Sequence, residues 1–269
     1  MSDDVLVSCL MVTLASHERE GFVRQAIAAY RAQTYRGREL VIVLDQGPAE
    51  AKASIRDHVA ALGGDDIRII EPPGPLTLGA LRNISWREAR GAIVCQWDDD
   101  DLYHPERLDR QLAALRESGG QSVCLQEVMQ FFPATRRLRL TNWRASPQAA
   151  KPATLMCLKS APVRYPETGP EASLGEDLVV HTQLRSLGGF HALAGAPHLY
   201  VYVSHGQNTC SEAHHRMIAD RLGVSQGLIR RREAALRDGL APIDFGPGEV
   251  VVEGPNGPAF TIPGRGSPS

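Results

Sequence analysis

Four short apolar runs alternate with segments of helical periodicity in the first hundred residues. The runs cover residues 5–13, 39–44, 67–70 and 92–97. Each is nearly continuous in apolar side chains, as expected for a strand that is covered on both faces. Strand–helix alternation of this kind predicts a parallel, doubly wound α/β sheet.

Acidic side chains stand where two of the predicted strands end. Asp45 follows the second run, and Asp98, Asp99, Asp100 and Asp101 directly follow the fourth. In an open parallel sheet, ligands bind outside the carboxyl ends of the strands. We therefore expect these acidic positions to border one crevice.

The four consecutive aspartates at positions 98–101 point to a bound cation. Adjacent carboxylates repel one another unless solvent or a cation relieves the repulsion. Most acidic runs are solvated turns, but this run follows an apolar strand directly. An EF-hand loop is excluded because its Gly and terminal Glu are missing. Carboxylate oxygens suit Mn²⁺ or Mg²⁺, which usually bind substrate phosphates together with one or two carboxylates.

Composition excludes several other classes of protein. The net charge of −2 shows no basic excess, so we expect no nucleic-acid polymer as a partner. The five cysteines are scattered and never form a CxxC pair, which indicates reduced thiols and a cytoplasmic protein. The acidic start at residues 1–4 has no apolar signal core. No apolar stretch is long enough to span a bilayer, although peripheral membrane contact stays open.

Several short motifs, in order over residues 5–215, resemble those of the family 2 glycosyltransferases. They are QTY at 33–35, ELVIV at 39–43, LRN at 81–83, QWDDDDLYHPERL at 96–108, GED at 175–177 and YVSHGQNT at 202–209. Any one of them alone is a weak signal, and the resemblance rests on their combination.

The resemblance implies a GT-A-type fold, with a Rossmann-like, mostly parallel central sheet flanked by helices. We expect a single glycosyltransferase domain over residues 1–240. Its nucleotide-sugar donor half is about residues 1–103, and its acceptor half is about 104–240. Residues 241–269 are rich in Gly and Pro, so we expect a C-terminal extension that the domain does not need in order to fold.

The resemblance also implies which residues bind the donor. The expected contacts to the donor nucleotide are Thr13, Asp45, Arg82, Asp98 and Asp99, of which Asp45 matches the acid that contacts the nucleoside base. For Arg82, a salt bridge on the helix face is an equally good interpretation.

A divalent metal, Mn²⁺ or Mg²⁺, is implied as the cofactor. Aligning Pro105 with the proline of the family motif makes Asp98 and Asp100 the two acids of its DxD pattern. Asp100 is then the expected metal ligand, with Asp101 in a supporting position. His205 is a further candidate ligand, although a lone His is as often structural.

Asp177 is the implied catalytic base, and Glu176 supports it or contacts the acceptor. Without the resemblance, Asp177 is an ordinary acidic residue at a helix N-terminus. Trp143 is a candidate for stacking on an acceptor sugar, although core packing is the commoner role of a Trp.

The implied reaction is transfer of a sugar from a nucleotide diphosphate, with UDP as the expected nucleotide. A single base opposite the leaving group implies inversion. The acceptor is a carbohydrate, a lipid-linked molecule or a small molecule. The alternatives are a metal-dependent nucleotidyltransferase and a non-catalytic nucleotide-sugar or glycan-binding module. The former usually has a Gly-rich phosphate loop near the first strand, and residues 14–20 contain no Gly.

Overall fold

A computed structural model describes residues 5–264 of the chain. The acidic start at residues 1–4 and the last five residues of the expected C-terminal extension lie outside the described residues. The described chain forms two compact units. The first comprises residues 5–100, 108–124 and 152–191, and the second comprises 101–107, 125–151 and 192–264.

The strands and helices follow one another as the sequence alternation predicts in the first hundred residues. The strands are β1 (Val7–Thr13), β2 (Arg38–Leu44), β3 (Ile67–Ile70), β4 (Ile93–Gln96), β5 (Leu102–Tyr103), β6 (Ser122–Leu125), β7 (Glu127–Phe132), β8 (Arg137–Asn142), β9 (Met156–Leu158), β10 (Phe190–Leu193), β11 (Tyr200–Val203), β12 (Val250–Gly254) and β13 (Gly257–Ile262). The α-helices are α1 (Glu20–Arg31), α2 (Ala49–Leu62), α3 (Leu78–Glu88), α4 (Arg107–Ser118), α5 (Glu176–Ser186), α6 (Glu212–Leu222), α7 (Gln226–Arg231) and α8 (Glu233–Leu240).

A seven-stranded sheet, in the order β10-β6-β9-β4-β1-β2-β3, forms the centre of the first unit. Strands β4, β1, β2 and β3 are mutually parallel, and β9 runs antiparallel to both β4 and β6. Strand β1 lies between β2 and β4: the chain adds β2 and β3 on one side of β1 and then returns to place β4 on the other side. This is the switch point at which open α/β sheets place ligands. The structure confirms the predicted α/β fold.

The spacing of apolar residues explains the buried face of α1, and a side-chain cap explains where α3 begins. In α1, Val23, Ala26, Ile27 and Tyr30 recur at helical spacing and are buried. Helix α3 begins after Thr77, whose hydroxyl accepts a hydrogen bond from the Ala80 amide at 3.3 Å.

A six-stranded sheet, in the order β13-β12-β8-β7-β11-β5, forms the second unit. Its apolar side chains form one core with residues from α7, α8 and the segment that follows α8. Among residues 5–264, no helix combines the length and the apolar character that crossing a membrane requires.

The C-terminal segment, expected to be a dispensable extension, contributes two strands to the six-stranded sheet. Strand β12 pairs in parallel with β8 and antiparallel with β13, so both strands belong to the six-stranded sheet. Val250 and Val252 are fully buried, and Phe260 and Ile262 are nearly so. Alternate apolar residues face the core here, and the high Gly and Pro content of the segment concealed that period-two pattern.

The two units also do not divide the chain at residue 103. Residues 108–124 and 152–191 return to the first unit, so neither unit is one continuous stretch of sequence. Strands β6 and β9 explain this, because they complete the sheet beside β4.

Candidate active site

The acidic segment begins where β4 ends, at the carboxyl edge of the parallel strands. Trp97 anchors it, because its amide donates to the Leu10 carbonyl at 3.0 Å and its indole donates to the Ala26 carbonyl at 3.2 Å. Trp97 is fully buried, whereas the side chains of Asp98 and Asp100 are 19% and 14% exposed. These two carboxylates are therefore the ones that solvent and a ligand can reach.

The loops that follow β1 and β2 meet at the same edge. The Asp45 amide donates to the Thr13 carbonyl at 2.9 Å. At Gly47, an added Cβ would lie 1.8 Å from the Ala15 carbonyl oxygen. Only Gly permits this approach, so the chain after β2 is held directly against the chain after β1. Thr13 and Asp45 are thereby brought together, as the strand pattern predicts.

Arg82 on α3 connects the acidic segment to the GED motif. Its Nη2 atom donates to Asp98 at 3.0 Å, and its Nε atom donates to Glu176 at 2.8 Å. Asp98 also accepts a hydrogen bond from Gln96 Nε2 at 3.0 Å. Arg82 is 9% exposed. Burial opposes its charge, but the carboxylates of Asp98 and Glu176 outweigh burial and raise the pKa of Arg82.

The GED motif forms the start of α5. Gly175 precedes the helix with φ of 89°, in the left-handed region that favours Gly. Glu176 is 4% exposed, and burial raises the pKa of its carboxyl although Arg82 opposes that shift. Asp177 is half-buried, and its Oδ1 atom accepts a hydrogen bond from the Leu178 amide at 2.7 Å. The charge of Asp177 also contributes to the raised pKa of Arg82.

Asp99 is held by two partners from the chain around the end of β1. The Thr13 hydroxyl donates to its Oδ2 atom. Arg19 Nε donates to the same oxygen at 2.9 Å, and Arg19 Nη2 donates to Oδ1. Arg19 Nη2 also reaches Asp100 Oδ2 at 3.1 Å. Burial raises the pKa of Asp99, with Arg19 opposing and the charge of Asp100 adding to the shift.

Arg19 is the site residue that sequence reasoning missed. The loop between β1 and α1 contains one Arg and no Lys, and that Arg immediately precedes a helix that starts beside the acidic segment. A lone Arg opposite a run of aspartates was the available signal.

Asp101 belongs to the second unit. It is 2% exposed, accepts a hydrogen bond from the Val203 amide at 2.9 Å, and accepts another from the Tyr200 hydroxyl. These contacts join β5 to β11 within that unit, so Asp101 has a supporting role in the packing of the second unit.

His205 and Trp143 also lie in the second unit. His205 Nδ1 accepts a hydrogen bond from the Gln207 amide at 3.3 Å, and its own amide donates to Asn208 Oδ1 at 2.9 Å. Trp143 is 8% exposed, with Lys151 Nζ 5.2 Å from the centroid of its ring. This burial favours the packing role for Trp143.

The carboxylates suit a metal that is shared with a substrate. Within residues 5–264, no group of three or more His, Cys, Asp and Glu side chains is arranged to hold a metal. The acidic segment instead offers Asp100, together with Asp98 two positions before it. One or two carboxylates plus substrate phosphates are the usual ligands of Mg²⁺ in proteins, so the residues fit a metal that binds together with a diphosphate.

Comparison with known families identifies the arrangement. The family described as Glycosyl transferase family 2 matches residues 11–165, which include the end of β1, α3 and the acidic segment. A curated relative is EpsE of Bacillus subtilis (strain 168), provisionally named a glycosyltransferase. It is 27% identical over 106 residues, which are 39% of this chain and 38% of EpsE. The match therefore spans well under half of that relative.

Solved structures share the fold at low identity. S. aureus TarS 1–349 superposes with a TM-score of 0.57 and 13% identity, over 86% of this chain and 73% of TarS 1–349. A further structure of that protein is a complex with UDP-GlcNAc. The mannosyltransferase PcManGT from Pyrobaculum calidifontis, in complex with GDP-Man and Mn²⁺, gives a TM-score of 0.57 and 16% identity, over 86% of this chain and 64% of PcManGT. These neighbours establish the GT-A fold.

Proposed function

Because the chain belongs to glycosyl transferase family 2, we propose that it transfers a sugar from a nucleotide diphosphate to a hydroxyl group of an acceptor, with inversion and with a divalent metal. The observation that carries this proposal is the Arg82 bridge. It joins the acidic segment at Asp98 to the GED motif at Glu176, at 3.0 and 2.8 Å. This bridge supports the proposal that the donor-binding groups and the base next to Glu176 belong to one site within the first unit.

The donor is expected to bind at the carboxyl edge of β1, β2 and β4. The donor nucleotide would be contacted there by Thr13 at the end of β1, Asp45 after β2 and Arg82 on α3. Solved neighbours bind UDP-GlcNAc in one case and GDP-Man in the other. UDP remains the nucleotide that we expect here, as the commonest donor nucleotide in the family.

Mn²⁺ or Mg²⁺ would be held by Asp100 together with the diphosphate, and His205 is a further candidate ligand. When bound, the cation would offset the negative charge that develops on the departing diphosphate. Asp98 and Asp99 are already engaged by Arg82 and Arg19. Their proposed role remains that of donor contacts, and their bonds to the two arginines would also orient the segment that presents Asp100.

Asp177 is the proposed general base. It lies at the N-terminus of α5, is half-buried, and directly follows Glu176 in the chain. Glu176 is buried and bonded to Arg82, so its proposed role is to support Asp177 or to contact the acceptor. A carboxylate that accepts the proton of an attacking hydroxyl typically contributes about 10²–10⁴-fold to the rate.

Ligand-dependent stabilisation tests the donor and the metal together. We expect nucleoside diphosphates and nucleotide sugars to raise Tm in the presence of Mn²⁺, because a ligand that binds only the folded state stabilises it by mass action. EDTA should remove most of that shift, and Asp100→Asn should reproduce the loss. Equal stabilisation with and without EDTA would exclude the metal from donor binding.

Turnover of the donor tests Asp177 without knowledge of the acceptor. Release of nucleoside diphosphate from a nucleotide sugar, with water as the acceptor, should fall by about 10²–10⁴-fold in Asp177→Asn, while donor affinity is retained. The control is Glu171→Gln, a neutralised exposed carboxylate shortly before α5. Wild-type turnover in Asp177→Asn would reject the assignment. Tight donor binding without any turnover in the wild type would favour a binding module instead.

A further inference from the structure

Arg19 is bound to the acidic segment by three hydrogen bonds of unequal character. Two of them go to both oxygens of Asp99, in the side-on geometry that suits a guanidinium and a carboxylate. The third goes to Asp100 Oδ2 at 3.1 Å. Although burial opposes its charge, Asp99 and Asp100 raise the pKa of Arg19, so it remains a cation.

The two carboxylates differ in burial. Asp99 is 3% exposed and also accepts the Thr13 hydroxyl. Asp100 is 14% exposed and Arg19 is 18% exposed. The contact with Asp99 is therefore enclosed and doubly bonded, whereas the contact with Asp100 is a single bond on the solvent side. A competing cation reaches the second contact far more easily than the first.

We propose that Arg19 is a tethered counter-cation that competes with the divalent metal for Asp100 and so sets the metal affinity of the site. The inference rests on the proposed function. Arg19 keeps its side-on contact with Asp99 throughout and gives up Asp100 Oδ2 when the metal binds. Arg19 is thus a positioning residue, which balances the acidic segment before the donor and metal arrive.

Electrostatics gives the direction of the effect. Three neighbouring carboxylates without a cation repel one another, and Arg19 relieves this by placing one positive charge between Asp99 and Asp100. The same positive charge repels a divalent cation at Asp100. Removing it should tighten metal binding, whereas a residue that only supported the fold would weaken metal binding when lost.

Mn²⁺ affinity measures the competition directly. Free Mn²⁺ is followed by its electron paramagnetic resonance signal in titrations without nucleotide and then with UDP. We expect Arg19→Gln to bind Mn²⁺ on the order of tenfold more tightly than the wild type. Arg19→Lys, which keeps the charge, should stay close to the wild type. The matched control is Arg24→Gln, because Arg24 lies on α1 and contacts Ser54 and His58.

A second comparison tests the proposal if the Arg19→Gln variant does not fold. In an Asp99→Asn background, no buried carboxylate loses its partner when Arg19 is changed. Adding Arg19→Gln to that background should tighten Mn²⁺ binding by a similar factor.

Unchanged or weaker Mn²⁺ binding in either comparison overturns the proposal. A wild-type protein that binds no Mn²⁺ at all, with or without UDP, would instead contradict the metal dependence in the proposed function. The two failures are therefore distinguishable.

Discussion

Arg82→Met should destabilise the protein by an amount that the structure allows us to estimate. Met retains much of the volume of the Arg side chain but removes its charge. Glu176, 4% exposed, and Asp98, 19% exposed, would then lose their cation. Removing one partner of a buried ion pair typically costs about 3–5 kcal/mol. Because Asp98 is partly solvated, we expect a cost of about 3 kcal/mol.

Thermal unfolding followed by circular dichroism measures this cost. For a chain of this size, 1 kcal/mol corresponds to about 2–4 °C, so Tm should fall by about 6–12 °C near neutral pH. The deficit should shrink at lower pH. Glu176 already has a raised pKa because of burial, and loss of Arg82 raises it further. A carboxyl with a raised pKa in the folded state loses stabilisation as pH rises through that pKa.

The matched control is Arg24→Met, which removes an exposed Arg on α1. We expect a change within about 0.5 kcal/mol for that surface substitution. If Arg82→Met unfolds within about 2 °C of the wild type, Arg82 is not the buried partner of both carboxylates, and the bridge between the two motifs does not exist. A deficit that grows on acidification would contradict the electrostatic explanation.

Three further predictions concern other parts of the molecule. A chain ending at Leu240 loses β12 and β13, and full burial of a Val or Ile side chain contributes about 1.5–3 kcal/mol, so we expect it to be insoluble or to melt far below the full chain. His205→Ala should lower Mn²⁺ affinity while leaving the melting curve unchanged. Glu176→Gln should gain stability relative to the wild type as pH rises above about 4.5, because only the wild type must ionise a buried carboxyl whose pKa is raised.

Each of these has a plain contrary result. If the truncated chain has the Tm of the full chain, the residues after Leu240 are not needed for folding. If Mn²⁺ binds His205→Ala as it binds the wild type, His205 is not a metal ligand, and its role is the turn that it forms with Gln207 and Asn208. Parallel pH–stability curves for Glu176→Gln and the wild type would show that burial does not govern Glu176.

The fold could be predicted from the sequence because the apolar pattern of each strand and helix is local. Continuous apolar runs mark β1 and β2, and Val23, Ile27 and Tyr30 mark the buried face of α1. Such patterns arise from burial on a fixed period, so each segment carries its own evidence. The contribution of β12 and β13 to the core could not be predicted in this way, because pairing of β12 with β8 joins segments that are distant in sequence.

The same division applies to the candidate site. The resemblance of the motifs selected Asp98, Arg82 and Asp177, which lie at the end of β4, within α3 and at the start of α5. The sequence pattern could not show which carboxylate pairs with which arginine. Asp98 pairs with Arg82, whereas Asp99 pairs with Arg19.

The sequence alone thus determined the class of fold and the run of acids that marks the site, since both depend on residue type and spacing. Only the tertiary structure decided the separate environments of the four aspartates. Asp98 is bound by Arg82, Asp99 and Asp100 share Arg19, and Asp101 is buried against Tyr200 in the second unit. Adjacent residues in the same local pattern acquire different burial and different partners from contacts over long distances in sequence. Burial and partners are what set the charge and the accessibility of a carboxylate.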